Sequence, residues 1–147
     1  MVNHICFISA TDTYTIRKKI LRPTQSIEEC QYEGDSAESS FHVGVFDGEL
    51  LISIGSFYQE ARKELNGHLH YRLRGMATLP DYRGKGVGKQ LIAYSEEVLN
   101  EKGCELWWCN ARTSAGPYYE KLGLTQLGDV FEIEPIGPHV IMYKQMV

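Results

Sequence analysis

Apolar and polar positions change period several times along the chain, and each change marks an element. His4 to Ile8 reads as a strand, and Thr11-Asp12 is suited to cap a following helix whose Ile16 and Ile20 share one face before Pro23. Pro23 to Ser40 is polar and rich in Gln, Glu and Ser, with a turn at Gly34-Asp35, so loop with one short helix is expected. Phe41 to Phe46 and Leu50 to Tyr58 are β-prone runs joined at Asp47-Gly48, a dipeptide that supplies the positive φ angles of a tight hairpin. Beyond Asn66-Gly67, the run Leu69 to Thr78 is expected to turn back antiparallel as a fourth strand.

From Val87 to Lys102 the period becomes helical: Val87, Leu91, Ile92, Val98 and Leu99 fall on one stripe, and Gly103 is placed to end the helix in a left-handed conformation. Glu105 to Asn110 is a short β-prone run, Ala115 to Leu122 fits a two-turn helix closed by Gly123, and Leu124 to Ile133 and Val140 to Tyr143 read as final strands. The predicted order is β-α-β-β-β-α-β-α-β-β, with no internal repeat and no low-complexity segment.

With 147 residues and 43% apolar content, the chain is expected to fold as a single domain over 1–147 that buries a core without metal or disulfide support. A formal net charge of −4 argues against a nucleic-acid surface, so any useful positive charge must be local. Cys6, Cys30, Cys104 and Cys109 are scattered, and Cys104 and Cys109, five apart, lack close CxxC spacing and read as buried thiols. The start shows no basic region followed by an apolar run, and no stretch is long enough to cross a bilayer, so a soluble, cytoplasmic protein is expected.

The informative segment is Arg83-Gly84-Lys85-Gly86-Val87-Gly88-Lys89, between the end of a predicted strand and the start of the strongest helix. Its glycines let the backbone approach a ligand closely, and the first N–H groups of the helix carry the positive end of its dipole. Such a loop binds phosphate, and Arg83, Lys85 and Lys89 add charge for it. Two familiar phosphate motifs are excluded. A P-loop would need a glycine where Arg83 stands and a hydroxyl where Gln90 stands, and the dinucleotide fingerprint would need a glycine at Lys89 or Leu91.

These residues resemble the GNAT superfamily of acetyl-CoA-dependent N-acetyltransferases, whose Arg/Gln-x-x-Gly-x-Gly/Ala loop matches Arg83 to Gly88, preceded by the lead-in Leu79-Pro80-Asp81-Tyr82. Asn110 and the stretch Tyr118-Tyr119-Glu120-Lys121-Leu122-Gly123-Leu124 resemble the family's Asn and Tyr-x-x-x-Gly-Phe signature, with Leu124 in place of Phe. The resemblance implies an α/β (α+β) fold with a mixed, mostly antiparallel sheet of about seven strands flanked by helices, whose fourth and fifth strands splay apart. Gly75 is a candidate bulge that starts the splay.

The resemblance further implies acetyl-CoA as cosubstrate and an amine as acceptor, with no metal. The pantetheine arm would meet backbone at Met76, Ala77 and Thr78, a backbone N–H near Ala77 would polarise the thioester, and Tyr119 would protonate the departing thiolate as general acid. The family's fourth-strand glutamate would fall near Leu73 or Arg74, where no carboxylate stands, so no base is assigned; His42, His70, His139 or a held water are the alternatives. Arg74 meets either an acidic acceptor or a surface ion-pair partner. His68 and His70 lack a third metal ligand, and Trp107 and Trp108 read as core. No nucleic-acid or membrane partner is expected, and a homodimer is compatible with the family. A non-catalytic acyl-CoA-binding or sensor module is the alternative function.

Overall fold

The computed structural model describes residues 3–146. The elements in chain order are β1 (Asn3–Ile8), α1 (Ala10–Ile16), β2 (Phe41–Asp47), β3 (Leu50–Gln59), β4 (His70–Thr78), α2 (Val87–Glu101), β5 (Leu106–Arg112), α3 (Gly116–Lys121), β6 (Thr125–Ile133) and β7 (Gly137–Gln145). The order matches the sequence expectation, with a short helical turn at Glu28–Cys30 in the polar segment. All strands join one seven-stranded sheet in the order β1-β2-β3-β4-β5-β7-β6. Every neighbouring pair is antiparallel except β4 and β5.

Local chemistry differs from expectation at two places. Ser9, not Thr11-Asp12, is the N-cap of α1: its hydroxyl accepts from Asp12 N at 3.1 Å while Asp12 Oδ2 accepts from Ser9 N at 3.0 Å. Asp12, the third residue of the helix, is therefore the reciprocal partner in a capping box rather than the cap itself. In the β2–β3 hairpin, Asp47 pairs with Leu50, so Gly48-Glu49 are the turn residues, and positive φ occurs at Gly48 alone (+60°). A positive φ only at the first central position is the pattern of a II′ turn, not the I′ turn that Asp-Gly would build.

α2 and α1 cover opposite faces of the sheet. A Cβ on Gly55 of β3 would stand 3.0 Å from Leu91 of α2, while Ser56 and Tyr58 on the alternate face bond to Arg17, just past α1. The larger core lies under α2, where Val87, Leu91 and Leu99 meet Phe57, Leu73 and Trp107. Phe41 stacks on Phe57 at 5.1 Å in the same layer. Gly103 ends α2 with φ +78°, as expected.

The opposite face is organised around a buried charge. Arg17 is fully buried; its Nη1 donates to Asp35 Oδ2 at 2.8 Å and Cys30 O at 2.9 Å, and its Nη2 donates to Asp35 Oδ1, Ser56 Oγ and Tyr58 Oη. Asp35 also accepts from Tyr32 N at 2.9 Å and from the Tyr58 hydroxyl. Burial alone would raise the Asp35 carboxyl, but the bonds from Arg17, Tyr58 and Tyr32 outweigh it and hold it below the usual carboxylate range. This pair pins the long polar segment between α1 and β2 onto the sheet.

Removing one partner strands the other charge inside, so Asp35→Ala is expected to cost about 3–5 kcal/mol of unfolding free energy. Urea denaturation at neutral pH measures it. Because the folded-state pKa of Asp35 is depressed, its contribution is complete above the unfolded-state value near ~4 and is lost as pH falls through the folded value. Asp35→Asn should therefore flatten the acid limb of stability below about pH 4.

Candidate active site

β4 and β5 run parallel for three residue pairs, His70–Leu106, Tyr71–Trp107 and Arg72–Trp108, and then part. The cause on the β4 side is Gly75. From Ile54–Ala77 to Ser56–Arg74 the partner strand β3 advances two residues while β4 advances three, and Gly75, at φ +63°, is the extra one. The expected bulge is present, within the β4 edge from Leu73 to Thr78 that faces β5 without a pairing partner. β5 remains fully paired on its other edge, to β7.

Met76, Ala77 and Thr78 line this open edge. Their other edge is fastened to β3: Ser53 Oγ donates to Ala77 O at 3.1 Å and lies 2.9 Å from Thr78 Oγ1. Arg83 Nε donates to Thr78 O at 3.1 Å, so one member of the basic loop is tied to the end of β4. Gly84 and Gly86 both take positive φ (+74° and +77°), and nothing lies within 4 Å of where their Cβ atoms would be. The first backbone bond into α2 runs from Gln90 N to Gly86 O at 3.0 Å, so the N–H groups of Val87, Gly88 and Lys89 precede the helical ladder. No side chain caps them and no acidic residue occupies the first turn. Lys85 and Lys89 are exposed beside them.

Gly88 has a different reason to be glycine. A Cβ there would overlap the Tyr118 hydroxyl and stand 3.0 Å from Met76 Cε. Start of helix, end of strand and the two tyrosines of α3 thus converge. Tyr119 is edge-on to Tyr118, with ring centroids 5.4 Å apart, and its hydroxyl lies 3.9 Å from Met76 Sδ with the Cys109 thiol beside it. Met76 belongs to β4 and Cys109 to β5, so the hydroxyl sits across the mouth of the gap. Burial, then the neighbouring Cys109 and Tyr118, push the phenol well above its ordinary pKa, and burial pushes the Cys109 thiol up to about 12. Both groups are therefore protonated at working pH.

Asn110 alternates with Cys109 and shares the opposite sheet face with Trp108. Its Oδ1 is buried with no hydrogen-bond partner among the described residues. β5 does not close at Asn110 but continues to Arg112. The histidines considered as bases are engaged elsewhere. His42 lies 2.6 Å from Ser56 Oγ and 3.0 Å from Asp35 O; His70 accepts from Arg62 N at 3.0 Å and lies 3.0 Å from Asn66 O; His139 Nδ1 is 2.8 Å from Gly137 O. Each holds a loop or strand in place. Trp107 and Trp108 face opposite sides and donate to Glu96 Oε2 and Glu60 O, both at 2.9 Å.

Sequence reading missed the layer across from Tyr119. Gly75 packs under Tyr32, whose ring would be 3.1 Å from a Cβ at that position, and the guanidiniums of Arg17, Arg74 and Arg22 stand 3.9, 4.3 and 5.2 Å from the centroid of the same ring. Arg74 makes no ion pair among the described residues, which removes the surface-pair explanation. Only the positive φ required of Gly75 could have hinted at a close neighbour there; Tyr32 itself lies more than forty residues upstream in an irregular segment.

Comparison with known proteins agrees with this arrangement. Residues 8–124 match the sequence profile described as the Acetyltransferase (GNAT) family. The chain is 51% identical over 139 residues to YitI of Bacillus subtilis strain 168, an uncharacterised N-acetyltransferase, covering 95% of this chain and 93% of that protein. The fold superimposes on a Lactobacillus plantarum protein classed provisionally as an N-acetyltransferase with a TM-score of 0.81 at 21% identity, covering 100% of both chains. It also superimposes on an aminoglycoside 6′-N-acetyltransferase complexed with coenzyme A, with a TM-score of 0.76 at 17% identity over 100% of this chain and 98% of that one. Profile, relative and fold agree with the divided sheet and the glycine loop, and the chain belongs to the GNAT family of acetyltransferases.

Proposed function

We propose that the protein, acting as one domain over its length, transfers an acetyl group from acetyl-CoA to a primary amine by direct attack on the thioester. The observation that carries this reading is the gap between β4 and β5, which has the first turn of α2 at one end and a partly buried phenol across its mouth. The residues fit coenzyme A on three counts. Gly84 and Gly86 leave open space beside bare N–H groups, the β4 edge from Met76 to Thr78 offers unpaired backbone for pantetheine amides, and the buried Asn110 Oδ1 is an acceptor in need of a donor. The aminoglycoside 6′-N-acetyltransferase of similar fold was solved with coenzyme A, which supports the same choice.

Acetyl-CoA supplies an acyl group activated as a thioester; the chain's residues supply placement and proton control. Val87, Gly88 and Lys89 N–H groups, with Arg83 and Lys85, hold the diphosphate. A backbone N–H near Ala77 faces the thioester oxygen and stabilises the charge that develops there, an arrangement fixed beforehand by the Ser53 bonds. Tyr119 holds its proton at every working pH and delivers it to the sulfur as the C–S bond breaks. No carboxylate or free histidine among the described residues is offered as base, so the amine arrives neutral and gives its proton to water.

Tyr119→Phe is expected to lower turnover about 100-fold in a thiol-release assay with an amine panel while acetyl-CoA still binds. Full turnover by this variant across the pH range would remove Tyr119 from the chemistry. Binding of acetyl-CoA with no thiol release from any amine would instead mark the protein as an acyl-CoA-binding module.

Because neither Tyr119 nor Cys109 titrates in the working range, kcat/KM should rise with pH along one limb set by the acceptor's own amine pKa. Replacing the acceptor by one of lower pKa should move that limb down correspondingly. A limb that stays fixed near pH 6–7 for all acceptors would reveal an enzyme base.

Gly88→Ala should raise the KM for acetyl-CoA about tenfold or more, since its methyl group would push Tyr118 and Met76 into the gap. Steady-state kinetics with varied acetyl-CoA measures this.

A further inference from the structure

Three guanidiniums surround the Tyr32 ring, and they are not equivalent. Arg17 is spent: burial would lower its pKa, but Asp35 and its other partners raise it on balance, and every bond it makes ties the fold together. Arg22 donates from Nη1 to Gln25 Oε1 at 2.9 Å and from Nε to the Tyr32 hydroxyl at 3.5 Å, meeting no carboxylate. Arg74 has no hydrogen bond and no ion pair among the described residues, although burial and then the charge of Arg72 disfavour its cation. The only carboxylate within this cluster, Asp35, is already bonded bidentately by Arg17.

The half-buried Arg74 guanidinium stacks on the Tyr32 ring with no carboxylate of the described residues paired to it, so its donors are open to an anion from outside the chain. Room exists for it: a cleft of about 310 Å³ opens along β3 and β4, lined by Arg72, Arg74, Ser39 and Tyr58 together with the carboxylates of Glu33 and Glu60. Arg72 is compensated there by Glu60 at 3.4 Å, which leaves Arg74 as the available cation.

Arg74, on the wall of the cleft, immediately precedes the residues at the gap. Gly75 touches Tyr32 on one side and precedes Met76, which reaches toward Tyr119 on the other. A thioester lying in the gap would have its sulfur toward Tyr119 and its opposite face toward Tyr32 and Arg74, the face from which an amine must approach.

We propose that the preferred acceptor is a small amine that also carries an oxyanion, a carboxylate or a phosphate, and that Arg74 binds this group over the Tyr32 ring with Arg22 as the second cation. This inference rests on the acetyl-transfer reading of the gap. Arg74 suits the task because its planar fork grips both oxygens of such a group at once.

The test is a thiol-release comparison of matched acceptors: amino acids against their amides, and O-phosphoethanolamine against ethanolamine, with wild type, Arg74→Gln and Arg74→Lys. Wild type should favour the anionic member of at least one pair by about 10- to 100-fold in kcat/KM, and the pair that shows it identifies carboxylate or phosphate. Arg74→Gln should collapse that ratio to within about threefold, and Arg74→Lys should retain part of it, separating lost charge from disturbed packing. Equal use of anionic and neutral members by wild type, or an undiminished ratio in Arg74→Gln, would overturn the proposal.

If no amine of either kind turns over, the transfer reading fails and the anion site is tested by itself. Calorimetric titration of succinate and of O-phosphoethanolamine into wild type should then give binding that Arg74→Gln weakens about tenfold or more. Absence of binding, or equal binding by both proteins, would overturn the anion site.

Discussion

The structure depends on a ladder that stops. Two parallel strands at the centre of a sheet would ordinarily stay paired along their length, because an unpaired backbone N–H or C=O away from water costs as much as a lost hydrogen bond. Here β4 and β5 pair for three residues and separate, since the extra residue at Gly75 turns the remaining length of β4 away. The outer edges of both strands stay bonded, to β3 and β7, so the gap cannot close by sliding or collapse. It is held open as a slot edged by β4 backbone that β5 does not pair.

Around that slot the two faces of the sheet have different tasks. The α2 face brings the glycine loop, Gly88, Met76 and the two tyrosines of α3 together over the larger apolar core. The α1 face pairs a smaller apolar cluster around Ile16 and Ile54 with the arginines that gather at Tyr32, a concentration of positive charge in a chain whose net charge is −4.

Much of this was legible in the sequence because it rests on local signals. The hydrophobic periods of β2, β3 and α2, the stop at Gly103 and a glycine turn at Gly84 and Gly86 leading into α2 are short-range patterns, and all of them appear in the fold. The Gly75 bulge was legible too, since a lone glycine inside a strand has few other uses. Errors arose where two local codes compete. Ser9 outcompeted Thr11-Asp12 because only Ser9 has Asp12 three residues ahead to answer it, and the hairpin turned at Gly48-Glu49 because its pairing starts at Asp47. The Arg17–Asp35–Tyr32 cluster was not legible, because it joins residues of the polar segment to β3 and β4 through contacts that no periodicity encodes.

That buried arginine also partitions the segment it holds. Arg17 grips Cys30 and Asp35, while Tyr71 donates to Ser39 O at 2.9 Å, so the segment between α1 and β2 is fastened at a few discrete points. Between those fastenings, the exposed stretch Ser36 to Glu38 can change in length and chemistry without disturbing the sheet. The clamp thus turns an irregular stretch into an exchangeable cassette, so descendants of one scaffold could acquire new acceptors by rewriting a few surface residues while keeping the catalytic slot intact.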